Sequence, residues 1–268
     1  MEKNRQMNDW IVRYGFLLRK RNTDKQKDKF IQTFLADVLN IRDDINVIEV
    51  KEKKRKYHNI YIGDVSKADK IITTYFDTPI VSFGDYSFTD TEKNKRNTLN
   101  RMAFESVVSL CMGLGIFFFL MRVFTGTLLT TVLTVFALVF FYVFNGIVKG
   151  RACRNTQVRN TSSVIEVLSL LEKYKNNKKV TFAIVDGGCT NEIGLLALKN
   201  SVKSQSKIYE LDSVGANVAL TVTEGSDSKS LKIHPDLDSL GNVILSEKID
   251  IELLIRQRHK IETIMEER

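Results

Sequence analysis

VVSLCMGLGIFFFLMRVF, residues 107–124, and LLTTVLTVFALVFFYVFNGIV, residues 128–148, lie back to back around a short polar break. Each run is about 18–21 residues long, enough for a helix rising about 1.5 Å per residue to cross a hydrocarbon core of about 30 Å. The chain opens on the polar stretch MEKNRQMND, so neither run sits where a signal peptide would. The two runs predict a transmembrane helical hairpin over residues 102–149. That hairpin divides a charged domain into a first part, 1–101, and a second part, 150–268.

The 268 residues are 43% hydrophobic and 27% charged, with a formal net charge of +8. Setting aside about 45 residues of hairpin leaves roughly 220, enough for one domain with a sizeable core. The positive charge is clustered: Arg19, Lys20 and Arg21; Lys51, Lys53, Lys54, Arg55 and Lys56; Lys93, Lys95, Arg96 and Arg101 before the hairpin; Lys149, Arg151 and Arg154 after it. In a membrane-tethered domain such clusters serve topology and attraction to anionic headgroups, and nucleic acid is not an expected partner. Lys and Arg resist translocation, so both basic flanks are expected in the cytoplasm and the Thr125-Gly126-Thr127 turn outside. The reading is an integral protein of a bacterial-type plasma membrane, with both termini and the soluble domain cytoplasmic. Cysteine usage agrees: Cys111 falls in the hairpin, and Cys153 and Cys189 show neither metal-ligand spacing nor a secreted disulfide pattern.

Outside the hairpin, helix-period apolar residues run over Trp10–Leu18 and Phe30–Leu39. Strand-type runs follow at 45–50, 57–65 and 70–76, and the polar stretch from Asp77 to Arg101 reads as a loop. After the hairpin, 162–174 predicts an amphipathic helix with Thr161 or Ser162 as N-cap. A buried strand is expected at 180–186, a short helix at 192–200, strands at 206–215 and 217–225, and a charged helix from Ile249 to Arg268. Strands alternating with helices predict an α/β fold, a mixed sheet flanked by helices and interrupted by the hairpin.

Five segments in order, YHNIYIGDVSKADKIITTYFDT, RNTSSVIEVLSLL, VTFAIVDGGCTNEIGLLALK, ELDSVG and HPDLDSLGNV, together resemble metallopeptidase family 28, the co-catalytic zinc aminopeptidases and glutaminyl cyclases. The resemblance covers about residues 45–250. It implies an aminopeptidase-like fold whose two zinc ions would sit at the carboxyl ends of strands, with the hairpin inserted in a surface connection. Carried over position by position, it puts Tyr75 where the family has its first ligand His, while Asp77 keeps the nearby Asp. Arg159 falls at the bridging Asp, Asn191 at the general-base Glu and Glu192 at the adjacent ligand. Asp212 and His234 match the remaining ligands, with Asp238 supporting.

Those substitutions change the chemistry. A two-zinc hydrolase needs a bridging carboxylate, and a base to move the proton of the attacking water. A guanidinium stays protonated and repels a divalent cation, and an amide has no titratable proton. The resemblance therefore implies a degenerate pseudopeptidase in which Arg159 pairs with Glu192, Asp212 or Asp77 and stands in for the metal charge. No cofactor is expected; the alternative is a membrane-bound aminopeptidase with one Zn on Glu192, Asp212 and His234, a legitimate zinc set. The plainer alternative for these three is that they are ordinary surface or turn residues. His58 and His259 read as solvated, and Cys189 as a structural thiol.

Thr127, Thr130, Thr131 and Thr134 recur at i, i+3, i+4, i+7, placing four hydroxyls on one helical face, and Gly113 and Gly115 thin the first helix. Such residues permit close helix contact in lipid, either within the hairpin or with another integral membrane protein. The function expected is that of a membrane-anchored binding, scaffolding or regulatory subunit, with the bilayer, a membrane protein and a peptide terminus in the cleft as partners.

Overall fold

The computed structural model describes residues 2–52, 55–153, 156–189, 191–225, 229–241 and 247–267. Lys53, Lys54 and Arg154, named above among the basic clusters, lie outside them. The chain divides into two compact units, Met1–Pro79 with Cys153–Arg268, and Ile80–Ala152. The boundaries fall at 79/80 and 152/153, so residues 80–101 group with the hairpin.

In the first unit, helix α1 (Glu2–Trp10) runs into a π-helical turn, Ile11–Leu17, before α2 (Asp24–Leu39). Strands β1 (Ile45–Glu52) and β2 (Arg55–Ile62) pair antiparallel, followed by β3 (Lys70–Tyr75). Beyond residue 152 come α5 (Ser162–Lys173), β4 (Val180–Val185), α6 (Ile193–Ser201), β5 (Lys207–Leu211), β6 (Leu220–Glu224), β7 (Ser230–Pro235) and α7 (Ile251–Glu267). These strands form one seven-stranded sheet of order β1-β2-β4-β3-β5-β7-β6. Its centre, β4-β3-β5-β7, is parallel, and both flanks are antiparallel. The expected mixed sheet flanked by helices is therefore present.

Side-chain alternation assigns the two faces. Ile72, Phe182, Ile184, Tyr209 and Ile233 point into one core with Phe30, Phe34, Ile165, Leu168 and Leu254 from the helices. Ile71, Tyr75, Ala183, Val185 and Ile208 point to the other, covered by Leu195 and Leu198 of α6. Successive strand residues alternate between the two cores, and a fully buried side chain of this size contributes about 1.5–3 kcal/mol. The outer strand β1 carries mostly exposed residues, with Glu49 held between Lys51 and Lys56; charge of this kind discourages edge pairing.

Three local readings are corrected. Trp10–Leu18 is not one inward stripe: the π turn shifts the helical phase, so Trp10, Ile11, Tyr14 and Leu18 are buried while Val12, Phe16 and Leu17 face out. Neither Thr161 nor Ser162 is an N-cap, because a π turn, Gln157–Thr161, leads into α5, and Ser162 Oγ donates instead to Val158 O at 2.5 Å. Arg21 is fully buried, unlike its exposed neighbours Arg19 and Lys20.

The second unit holds α3 (Thr91–Val123) and α4 (Gly126–Val148). The polar stretch read as a loop up to Arg101 is helical from Thr91, where Asp90 caps the helix by accepting from Lys93 N at 2.8 Å. Both helices are long and apolar enough to cross a membrane, and their apolar spans are almost wholly unburied. They meet where Gly113 of α3 lies against Phe140 of α4. A Cβ at Gly113 would overlap the Phe140 ring, so glycine is what lets the helices close there; Gly115 has nothing near it.

Candidate functional site

Parallel strands deliver their last residues to one edge, the usual place for sites in α/β sheets. Here β3 ends at Tyr75 and leads to Asp77, β4 leads to Asp186, β5 leads to Asp212, and β7 ends with His234-Pro235. Tyr75, Asp77, Asp186, Asp212 and His234 are all buried, and so is Arg159, in the turn before α5.

Asp212 is fully buried and fully engaged. Its Oδ1 accepts from the Tyr75 hydroxyl at 3.1 Å and from Ser213 Oγ at 2.8 Å, and Lys232 Nζ stands 2.9 Å from Oδ2. Burial alone would raise the carboxyl; the charge and hydrogen bond of Lys232, then Arg159 and Ser213, outweigh it and hold the pKa below the ordinary carboxylate value. Ser213 is left-handed, φ 58°, which costs a non-glycine residue energy. That conformation lets its N–H donate to Arg159 O at 3.1 Å, with the Ser213 hydroxyl oxygen 3.2 Å from the same carbonyl. The segment carrying Arg159 is thus fixed to the end of β5.

A second ion-paired group sits at the ends of β3 and β4. Lys27 Nζ lies 2.5 Å from Asp186 Oδ1, and both are shielded from solvent. Burial would lower Lys27, but Asp186 and Asp77 outweigh it and raise its pKa. Asp77 accepts from Cys189 N at 3.1 Å, and Cys189 Sγ donates to Asp77 O at 3.1 Å. Burial first, then the Asp186 charge, pushes Asp77 up to about 6. Behind it, Arg21 donates to Asn160 Oδ1 and Thr161 Oγ1 at 3.0 and 3.1 Å, with its guanidinium over the Phe30 ring. Burial lowers Arg21 to about 10, leaving it charged at neutral pH.

The turn after β4 sets what faces these groups. Gly188 packs so closely on Tyr75 that a Cβ there would overlap the ring, and Cys189 follows at Asp77. Asn191 lies further on, exposed, donating to Tyr57 Oη at 2.8 Å. Glu192 is exposed and left-handed, φ 56°, at the head of α6. Asp238 is also exposed. His234 is buried, with Nδ1 2.7 Å from Pro235 O and Nε2 3.2 Å from Thr223 Oγ1. The structure thus brings Tyr75, Asp77, Arg159, Asp212 and His234 to one edge and leaves Asn191, Glu192 and Asp238 at the surface.

Asp212 already holds an ammonium and two hydroxyls, both nitrogens of His234 have polar partners, and Glu192 stands exposed at the helix head. Among the described residues, no group of three or more His, Cys, Asp or Glu has metal-holding spacing. Lys27, Lys232 and Asp186 did not emerge from the sequence as site residues. Lys27 lies in a lysine-rich helix start and Lys232 in a run of mixed polarity, so neither carries a local signal.

No protein-family model matches the sequence, and no curated protein matches it. Among solved structures, Porphyromonas gingivalis glutaminyl cyclase is similar at 11% identity and TM-score 0.42, with 80% of this chain and 60% of that chain covered. Fimbriiglobus ruber glutaminyl cyclase is similar at 12% identity and TM-score 0.42, covering 81% and 65%. Legionella pneumophila LapA aminopeptidase is similar at 11% identity and TM-score 0.36, covering 79% and 42%. The chain spans between 42% and 65% of the length of these three structures.

Proposed function

We propose that this protein is a membrane-anchored pseudopeptidase: a catalytically silent, aminopeptidase-like domain that serves a membrane assembly as a binding, scaffolding or regulatory subunit. The observation that carries this reading is the engagement of Asp212 by Lys232 at 2.9 Å and by the Tyr75 hydroxyl at 3.1 Å. A side-chain ammonium occupies the carboxylate that a zinc ion would need, and buried Arg159 adds a second fixed cation nearby. Unlike a metal ion, these cations have no open coordination position at which to lower the pKa of a water.

The α3–α4 pair supplies the anchor, with the soluble unit in the cytoplasm as the basic flanks favour. The proposed partners are the bilayer, an integral membrane protein on the exposed threonine face of α4, and a peptide terminus at the strand-end cleft. Zinc content of the full chain, purified in detergent and equilibrated with zinc, tests the silent site together with release of N-terminal residues from peptides. The expected result is substoichiometric zinc and no release above that of a Glu192→Ala/His234→Ala variant. Two tightly bound equivalents, or zinc-dependent release lost in that variant, would instead establish a working metallopeptidase.

A further inference from the structure

The π turn gives the N-terminal segment an outward apolar face that the core does not use. Ile11, Tyr14 and Gly15 are buried, whereas Val12 is 51%, Phe16 48% and Leu17 75% exposed. Arg19 and Lys20, both exposed, follow directly. Apolar side chains beside a short basic run are the combination that lies in a membrane interface, the first group at the acyl boundary and the second on headgroup phosphates.

Chain connectivity ties this segment closely to the start and end of the hairpin. Thr78 N donates to Arg21 O at 3.2 Å, Arg21 N to Thr78 Oγ1 at 2.7 Å, and Thr78 Oγ1 to Arg19 O at 3.2 Å. Next to Thr78, Pro79 O accepts from Cys153 N at 2.9 Å. The basic run is therefore hydrogen-bonded to the place where the chain leaves the first unit and returns to it. From Cys153 back to Val148, the end of the apolar helix α4, is about five residues, at most about 18 Å of extended chain. A segment held on so short a tether remains within reach of the membrane surface, and its charge is complementary to the anionic cytoplasmic leaflet.

We propose that Val12–Lys20 is a second, peripheral membrane contact: Val12, Phe16 and Leu17 enter the headgroup boundary while Arg19 and Lys20 bind anionic lipid phosphates. This rests on the anchor reading of the hairpin, and adds to it a surface that orients the soluble unit on the bilayer.

The test uses the full chain, one copy per nanodisc, in phosphatidylcholine alone or mixed with phosphatidylglycerol, with hydroxyl-radical footprinting of side chains. Val47 and Ile48 on β1, each 42% exposed, serve as internal references. The expected result is a several-fold fall in oxidation of Phe16 and Leu17 in phosphatidylglycerol discs, with Val47 and Ile48 unchanged. Arg19→Glu/Lys20→Glu should abolish that fall, and far-UV circular dichroism should confirm that the variant is folded. Equal oxidation of Phe16 and Leu17 in both lipids overturns the proposal, as does protection that survives the charge reversal or requires two chains per disc. The anchor reading fails separately, if alkaline carbonate strips the chain from the discs.

Discussion

Lys232 Nζ stands 2.9 Å from Asp212 Oδ2 across the adjoining parallel strands β5 and β7, at the end of the sheet where the polar residues gather. Asp212 has no exposed surface, so its charge depends on that ammonium. Lys232→Met leaves a buried carboxylate short of its cation, a loss of about 3 kcal/mol. Chemical unfolding of the detergent-solubilised chain measures it. Asp212→Asn in the Lys232→Met background should recover most of the loss, because the two charges then disappear together. A single variant as stable as the parent would show that Asp212 draws its support elsewhere.

Two other buried carboxyls make stability fall as pH rises. Burial, with the Asp186 charge, raises Asp77 to about 6. Burial also raises Glu166 to about 7, although Arg258 at 3.0 Å opposes it. Unfolded Asp and Glu titrate near about 3.9 and 4.3, so the folded chain binds extra protons between pH of about 4 and 7. Their contribution to stability is therefore greatest at the acid end of that window, declines through it and levels above it, while His234, lowered by burial, acts in the opposite sense below its ordinary value. Asp212, shifted down, also acts in the opposite sense and only below about 4. Asp77→Asn and Glu166→Gln should each flatten the profile, by about 3 and about 3.5 kcal/mol respectively at pH 8. Urea unfolding across pH 4.5–8 reads the slope, and an unchanged slope in both variants would refute the assignment.

What the sequence disclosed and what it hid follow from the same physics. β2 to β4, α5 and α7 were legible because one-sided or complete burial imposes a hydrophobic period on them, and the hairpin because of its two long unbroken apolar runs. Of the residues singled out in the sequence, Tyr75, Asp77, Arg159, Asp212 and His234 sit inside motifs and are gathered, buried, at one edge of the sheet. Lys27, Lys232 and Arg21 were not legible, since a lysine or arginine that turns inward to a distant carboxylate or amide has the same neighbours in sequence as one in water. The phase change at Ile11–Leu17 was equally hidden: the apolar residues are there, but a wider turn decides which of them face out.

Gly113 and Gly115 lie two residues apart on α3 and should respond oppositely to the same change. A Cβ at Gly113 overlaps the Phe140 ring, whereas Gly115 has open space around it. Gly113→Ala should cost about 1–3 kcal/mol by forcing the ring or the helices apart. Gly115→Ala should be neutral, or stabilise by about 0.5–1 kcal/mol through helix propensity. Thermal unfolding in one detergent compares the two directly, and equal shifts would mean that the helices do not close at Phe140.

The same seam bears on the docking proposed for the hairpin. Because α3 and α4 close through Gly113 and Phe140, Thr127, Thr130, Thr131 and Thr134 remain exposed on α4. The Thr131 and Thr134 hydroxyls donate to Thr127 O and Thr130 O at 3.1 and 2.8 Å, so neither leaves a donor unsatisfied in lipid. Their oxygens can still accept, and their small size admits a close neighbour helix. Thr130→Leu/Thr134→Leu fills that face without touching the α3 contact. Recovery of a co-purifying membrane protein in mild detergent should fall several-fold, while the thermal stability of the hairpin stays at the parent value. Undiminished recovery would move the docking surface off this face of α4.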